Sequence, residues 1–226
     1  MTFDYQNRDI IADVAFSKEK CKAYLDDLIV TSDRRRTERE VPVLALCGPG
    51  RCGKDLGADW LGNNFCIDYG GSLSEIVAPL IASVVGGTTQ EVFAARHNDR
   101  LYWFHFCSAL RAGDPSFLVR LLLAKADIVV GIRGAVELEA CLQQGLIDTA
   151  IWVENPRAPQ DPTLEYTSGD CHLTIMNDGT KMAFFNKLRF LAKILKLPPR
   201  ICPTNKEEQT NLEPQKELGT PRIVTK

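Results

Sequence analysis

The sequence predicts an α/β protein built on a parallel sheet, and three observations carry that reading. From Val41 onward short apolar runs alternate with helical stretches, the pattern of βαβ units. Two of the runs, VLALC and IVV, are apolar throughout, as strands buried on both faces should be. A glycine-rich loop then joins the first run directly to a helix.

Taken in order, residues 1–32 are expected to form one amphipathic helix. Ile10, Ile11, Val14, Ala15, Cys21, Tyr24, Leu25 and Leu28 recur at three- and four-residue steps. Residues 33–40, DRRRTERE, read as a solvated connector; a nucleic-acid-binding arm is the weaker reading, because acids cancel most of the arginine charge. Five strands are expected at 43–47, 65–69, 127–131, 149–154 and 172–176. Ser72 with Glu75, and Thr88 with Glu91, are capping-box pairs. Pro79 should kink or shorten its helix. Asp114-Pro115 should open a helix running to about Lys125, and Gly145 should close the helix before it. Asn177-Asp178-Gly179 is a turn, followed by a helix over about 180–197 that Pro198 and Pro199 stop. Residues 198–226 are polar and proline-bearing and are expected to be disordered. The organisation expected is an N-terminal helix and connector over 1–40, one domain over 41–197, and a tail over 198–226.

Composition narrows the function classes. With 226 residues, 45% of them hydrophobic and 25% charged, the chain has the balance of a globular protein of one domain plus appendages. A net charge of −2 provides no global basic footprint, so nucleic acid is not an expected partner. No apolar run reaches the roughly 18 residues of a membrane span, and the N-terminus lacks a signal-peptide pattern. The eight cysteines include no C-x-x-C and mostly sit in apolar segments, as small buried hydrophobes of a reducing compartment. A cytoplasmic protein is expected, in another cell's cytoplasm if virally encoded.

The strongest motif is Gly48-Pro49-Gly50-Arg51-Cys52-Gly53-Lys54-Asp55. It matches G-x-x-x-x-G-K and departs at the last position, where Asp replaces Ser or Thr. A strand enters it and a helix leaves it, the context phosphate binding requires. Glycines let backbone N–H groups converge on phosphate oxygens, and the helix N-terminus adds partial positive charge. Lys54 would reach the β- and γ-phosphates. Asp55, a hard oxygen donor, would hold Mg²⁺ directly or through water. Phosphate binding also favours arginines, whose guanidinium pairs with phosphate bidentately. Arg96 and Arg100 lie four apart, as a phosphate clamp or merely a solvated face. Arg111 and Arg120 carry the same ambiguity. Arg133 follows an apolar strand at the edge where ligands bind. Asp68 and Ser72 follow the second strand on that edge, although Ser72 has a capping role regardless. Among Tyr102, Trp103, Phe104 and Phe106 one ring could stack on a base; His97 and His105 read as structural or surface residues.

The string GPGRCGKD resembles the phosphate loop of bacteriophage deoxynucleoside monophosphate kinases. ALRAGDPSFLVRLL, IVVGIRGAVELEA, and IWVENPRAP with DCHLTIMNDGT are loosely similar to that family's downstream segments. The resemblance covers about residues 41–196. It implies a P-loop nucleotide kinase-like three-layer αβα fold with a parallel five-stranded sheet in the order 2-3-1-4-5. It implies transfer of the γ-phosphoryl of Mg-ATP to a nucleoside or deoxynucleoside monophosphate. Lys54, Arg133 and the lid-like Arg157 would be catalytic. Residues 48–55 would bind ATP, with Asp55 on Mg²⁺. Asp68, Ser72, Arg96, Arg100, Arg111 and Glu137 would bind the acceptor. Oligomeric state is left open, a homodimer included.

One position departs from the family pattern. Gly131 stands where a strand-end acid would order the metal, and Asp127 lies about 13 Å away along the strand. Either Asp55, aided by Glu137 or Glu139, carries the metal, or the chain is a non-catalytic nucleotide-binding relative. Another small-molecule P-loop kinase is the third reading.

Overall fold

A computed structural model describes residues 8–200 and the short strand Val224–Thr225. The element order is α1 (Ile10–Lys20), α2 (Lys22–Glu38), β1 (Leu44–Cys47), α3 (Lys54–Asn64), α4 (Leu73–Val85), α5 (Thr89–Ala95), α6 (Arg100–Leu110), α7 (Phe117–Leu122), β2 (Ile128–Val130), α8 (Ala135–Gln143), β3 (Thr149–Glu154), a 3₁₀ turn (Ser168–Asp170), β4 (Leu173–Met176), α9 (Lys181–Ile194) and β5 (Val224–Thr225). The sheet order is β2-β1-β3-β4-β5. The first four strands are parallel; β5 joins β4 antiparallel.

β1 and β2 are apolar throughout because both sheet faces are covered. Ala45, Cys47, Val129, Ala150 and Trp152 point to a core shared with α1, α2, α4, α6, α7 and α8. Leu44, Leu46, Ile128, Val130, Ile151, Val153 and Ile175 point to a second core closed by α3 and α9. That is a three-layer αβα arrangement.

Four of the five expected strands form, in the expected relative order. The fifth expectation is corrected: residues 65–69 are not a ladder strand, so the parallel sheet has four strands. Phe65 makes a single antiparallel bridge to Pro199, and Cys66 N–H donates to the Pro198 carbonyl. On the other side Asp127 and Ile128 N–H both converge on the Asp68 carbonyl, at 2.7 and 3.1 Å. The Asp68 N–H goes instead to the Asp127 side chain at 3.0 Å. A carboxylate in the ladder stops it from propagating.

The N-terminal expectation of one helix is also corrected. The helix breaks at Cys21, because its halves pack on different neighbours, α1 on α4 and α6, α2 on α7. Nor is 33–40 wholly a solvated connector. α2 continues to Glu38, since its arginines find partners on the body. Arg35 pairs with Asp127 at 2.9 Å, Arg36 donates to the Gln144 carbonyl, and Arg39 pairs with Asp148.

Local punctuation holds elsewhere. Both capping boxes form, and Thr180 caps α9. Pro79, expected to kink or shorten its helix, does not end it: α4 runs on to Val85. Gly145 takes φ +62° just after α8. α7 starts later than expected, at Phe117: Asp114 caps the turn, accepting from Ser116 N–H and Oγ–H, but Phe117 N–H closes on the Asp114 carbonyl three residues back, so the first turn is tighter than α-helical. Of the expected tail, residues 198–200 are held against 65–68, and 201–223 lie outside the described residues. Among the described residues no single helix is long and apolar enough to cross a membrane.

Candidate functional site

The glycine loop 48–53 connects the end of β1 to the start of α3, at the carboxyl edge of the parallel strands. Three of its residues need positive φ: Gly48 at +127°, Arg51 at +63° and Gly53 at +104°. At two glycines a side chain is also excluded by space. A Cβ on Gly48 would stand 2.7 Å from the Val153 carbonyl oxygen, and one on Gly53 2.4 Å from Asn177 Nδ2. That same Asn177 amide donates to the Cys52 carbonyl at 2.8 Å. The turn after β4 therefore braces the loop from behind.

Lys54 opens α3 and is 5% exposed. Its ammonium folds back to donate to the Gly48 carbonyl at 2.9 Å and to the Pro49 carbonyl. Burial pushes its pKa down, and Arg133 pushes it the same way. The ammonium also donates to Cys52 Sγ at 3.5 Å, and a buried cation with such partners gains from an approaching anion. The Asp55 carboxylate accepts from Tyr69 Oη at 3.3 Å. Tyr69 is held protonated well above its usual range, by burial first and by Asp55 second.

The loop faces a cleft of about 350 Å³. Gly50, Arg51, Lys54 and Asp55 line it from the loop side, Ser72 and Gly131 from the sheet edge. Arg96, Arg100, Arg111 and Arg133 line it from the helices and from the end of β2. Residues from four separate sequence regions thus converge on one space. An apolar flank of Trp103, Phe104 and Leu118 completes it. The cleft thus combines a buried lysine, several guanidinium groups and an apolar, partly aromatic flank.

Other expected site residues stand elsewhere. Gly48, Pro49, Cys52 and Gly53 form the back of the loop. Asp68 turns away, to ion pairs with Arg35 at 3.4 Å and Arg200 at 3.3 Å around a separate surface cleft. Arg157 donates to the Asp178 carbonyl at 3.4 Å and does not line the cleft. Glu137 is buried behind the wall, paired with Arg111. Burial raises its pKa, and Arg111 opposes that rise. Arg120 pairs with Asp114 and Asp33 on the surface.

Three residues escaped the sequence reading. His97, taken as structural or surface, lines the cleft among Arg51, Arg96 and Arg100. Burial lowers its pKa, and those arginines lower it further. Asp161 and Thr163 come from the loop after β3. Asp161 Oδ2 accepts from Gly50 N–H at 2.9 Å, from Arg133 Nη1 at 2.5 Å and from Arg100 Nη2 at 3.4 Å. Its Oδ1 accepts from Thr163 Oγ1 at 2.7 Å. Burial alone would raise this carboxyl. The Thr163 hydrogen bonds and the Arg133 and Arg100 charges outweigh it and hold the pKa at about 2. Asp-Pro-Thr is legible in sequence as a side-chain-stabilised turn; that the turn meets residue 50 is not.

Among the described residues, no three His, Cys, Asp or Glu side chains cluster as a protein-built metal cage would require. Asp55 is the one carboxylate at the start of α3 lining the cleft. It suits a Mg²⁺ ion that takes one or two carboxylates and fills its shell with phosphate and water. Two buried side-chain atoms lack a hydrogen-bond partner among the described residues, Trp103 Nε1 and Glu137 Oε1. No protein-family model and no curated protein matches the chain.

Proposed function

We propose that the chain is a nucleoside or deoxynucleoside monophosphate kinase, transferring the γ-phosphoryl of Mg-ATP to an acceptor monophosphate. One observation carries the reading. A strand, a glycine loop and a lysine-led helix face, across one cleft, four arginines and an aromatic flank. A loop that only closed a βα turn has no need of a buried lysine aimed into it, or of opposed guanidinium groups.

In this reading the loop N–H groups and Lys54 hold the donor phosphates. Mg-ATP, when bound, would supply an activated phosphoryl group and a metal charge that offsets that of the phosphates. Asp55 would ligate that metal, directly or through water. Arg133 and Arg100, beside Gly50, stand where negative charge would spread over the moving phosphoryl group. Arg96 and Arg111, further along the cleft, would orient the acceptor phosphate, and Trp103 and Phe104 would flank its base. Positioning and charge neutralisation then do most of the catalysis.

The alternative of a nucleotide-binding protein without turnover draws on Gly131, which provides no strand-end carboxylate for the metal. Another small-molecule acceptor would use the same donor loop. A phosphoryl-transfer assay with Mg-ATP against a panel of ribo- and deoxyribonucleoside monophosphates separates these. Diphosphate formation that Lys54→Ala reduces by at least ~10²-fold is the expected outcome. ATP binding with silence across the panel would overturn the kinase reading.

A further inference from the structure

The mouth of the loop already holds an anion. Asp161 is a carboxylate whose side chain is 2% exposed, bonded by a loop amide and two arginines that would otherwise face a phosphate. It is seated closely: a Cβ added to Gly50 would lie 3.1 Å from Asp161 Oδ2 and 3.7 Å from Arg100 Nη2. Its other oxygen is fixed by Thr163 Oγ1 and N–H, so the carboxylate is aimed rather than drifting. The loop that carries it is pinned on its far side, where Glu165 N–H donates to the Arg133 carbonyl and Tyr166 Oη to the Ile132 carbonyl. The span around Asp161 is therefore a strap with one end anchored at β2 and its acid laid across the glycine loop.

We propose that Gly50 N–H, Arg100 and Arg133 form the subsite for a terminal phosphoryl group, and that Asp161 is its resident occupant, which an incoming phosphate displaces. This rests on reading residues 48–55 as a phosphate loop. The carboxylate reproduces what a phosphoryl oxygen would offer the subsite, a negatively charged acceptor of one amide and two guanidinium groups. It also prevents three donors and two cations from facing one another with no counter-charge. Binding then has a built-in competitor. A ligand's apparent affinity is reduced by the fraction of molecules in which Asp161 still occupies the subsite. A ligand bearing two or more phosphoryl charges displaces it more readily than a singly charged anion does, which discriminates among anions.

The test uses the full chain and inorganic pyrophosphate, which reports on the subsite whatever the acceptor is. Titration calorimetry compares the unaltered chain with Asp161→Asn, which keeps the shape and removes the charge. The expected result is pyrophosphate binding tightened by about 10-fold or more. Equal or weaker binding would overturn the proposal, weaker binding marking Asp161 as a group that helps the ligand. If melting curves show that Asp161→Asn does not fold, Thr163→Val carries the same test. It frees the carboxylate from its aiming hydrogen bond, and tighter binding is again expected, with unchanged or weaker binding overturning the idea. The two readings fail separately. Tightening without transfer to any nucleotide leaves the subsite standing and removes the kinase. Transfer by the unaltered chain, without tightening in the variant, does the reverse. No binding of pyrophosphate by either protein at millimolar concentration removes the subsite and the phosphate loop with it.

Discussion

At Gly53 the backbone holds φ at +104° and leaves no room for a side chain, with Asn177 Nδ2 in the way. Gly53→Ala must strain the loop or push Asn177 off the Cys52 carbonyl. The expected cost is about 1–3 kcal/mol of stability, together with weakened ATP binding, read from denaturant melts and calorimetry on the same sample. Retention of both would show that the loop yields where its geometry says it should not. Lys54 tests the chemistry rather than the shape. Among the described residues its ammonium bonds only groups of its own loop, and burying the charge offsets part of that gain, so Lys54→Ala should melt within about 1 kcal/mol of the unaltered chain while losing nucleotide binding. A large fall in stability with nucleotide affinity intact would make Lys54 a structural residue.

α2 is tied to the edge of the sheet by an ion pair with one buried end. Arg35 of α2 reaches Asp127, whose side chain is 6% exposed and which also accepts from Asp68 N–H. Removing the arginine leaves a buried carboxylate short of its counter-charge. Arg35 is itself partly exposed, so water softens the loss. Arg35→Ala is expected to cost about 2 kcal/mol, and Arg35→Lys to recover part of it, by urea unfolding. A neutral result would mean that α2 is held by Leu25 and Leu28 and by the Arg36 and Arg39 contacts without help from Arg35. The same pair explains why 33–40 reads wrongly as a connector. Alternating charges look solvated in sequence, and only the sheet edge reveals that three of the arginines have fixed partners.

Across the whole molecule, acid should loosen the seat of the N-terminal helix. Asp13 of α1 accepts from Arg8 at 2.7 Å and from Tyr102 Oη of α6 at 2.8 Å. Burial raises its pKa, but the Arg8 and Tyr102 hydrogen bonds prevail and the net shift is downward. A carboxylate with a lowered folded pKa contributes stability that is present above its unfolded value near 4 and lost as pH falls through the folded one. Asp13→Asn should therefore be less stable than the unaltered chain at pH 7, by about 1–2 kcal/mol, with the gap closing toward pH 3. Melting temperatures at both values decide it; a gap that widens in acid would reverse the sign and exclude the linkage.

The sequence by itself determined the alternation of strands and helices, the βα placement of GPGRCGKD and most helix caps. All of these are local. Periodicity, glycine content and capping residues act within a few positions, so they can be read without the fold. Arg96, Arg100, Arg111 and Arg133 could be nominated for the same reason, by their positions near element ends. Only the tertiary structure decided which of them share the cleft, that Asp68 faces Arg35 and Arg200 instead, and that 65–69 pairs with residues 198–199 rather than extending the sheet. Asp161 is the clearest case. It lies 111 positions from Gly50, and the contact exists because both loops leave adjacent parallel strands, β1 and β3, at the same edge. Pairing across a sheet joins residues distant in the chain, and no spacing rule along the sequence encodes it.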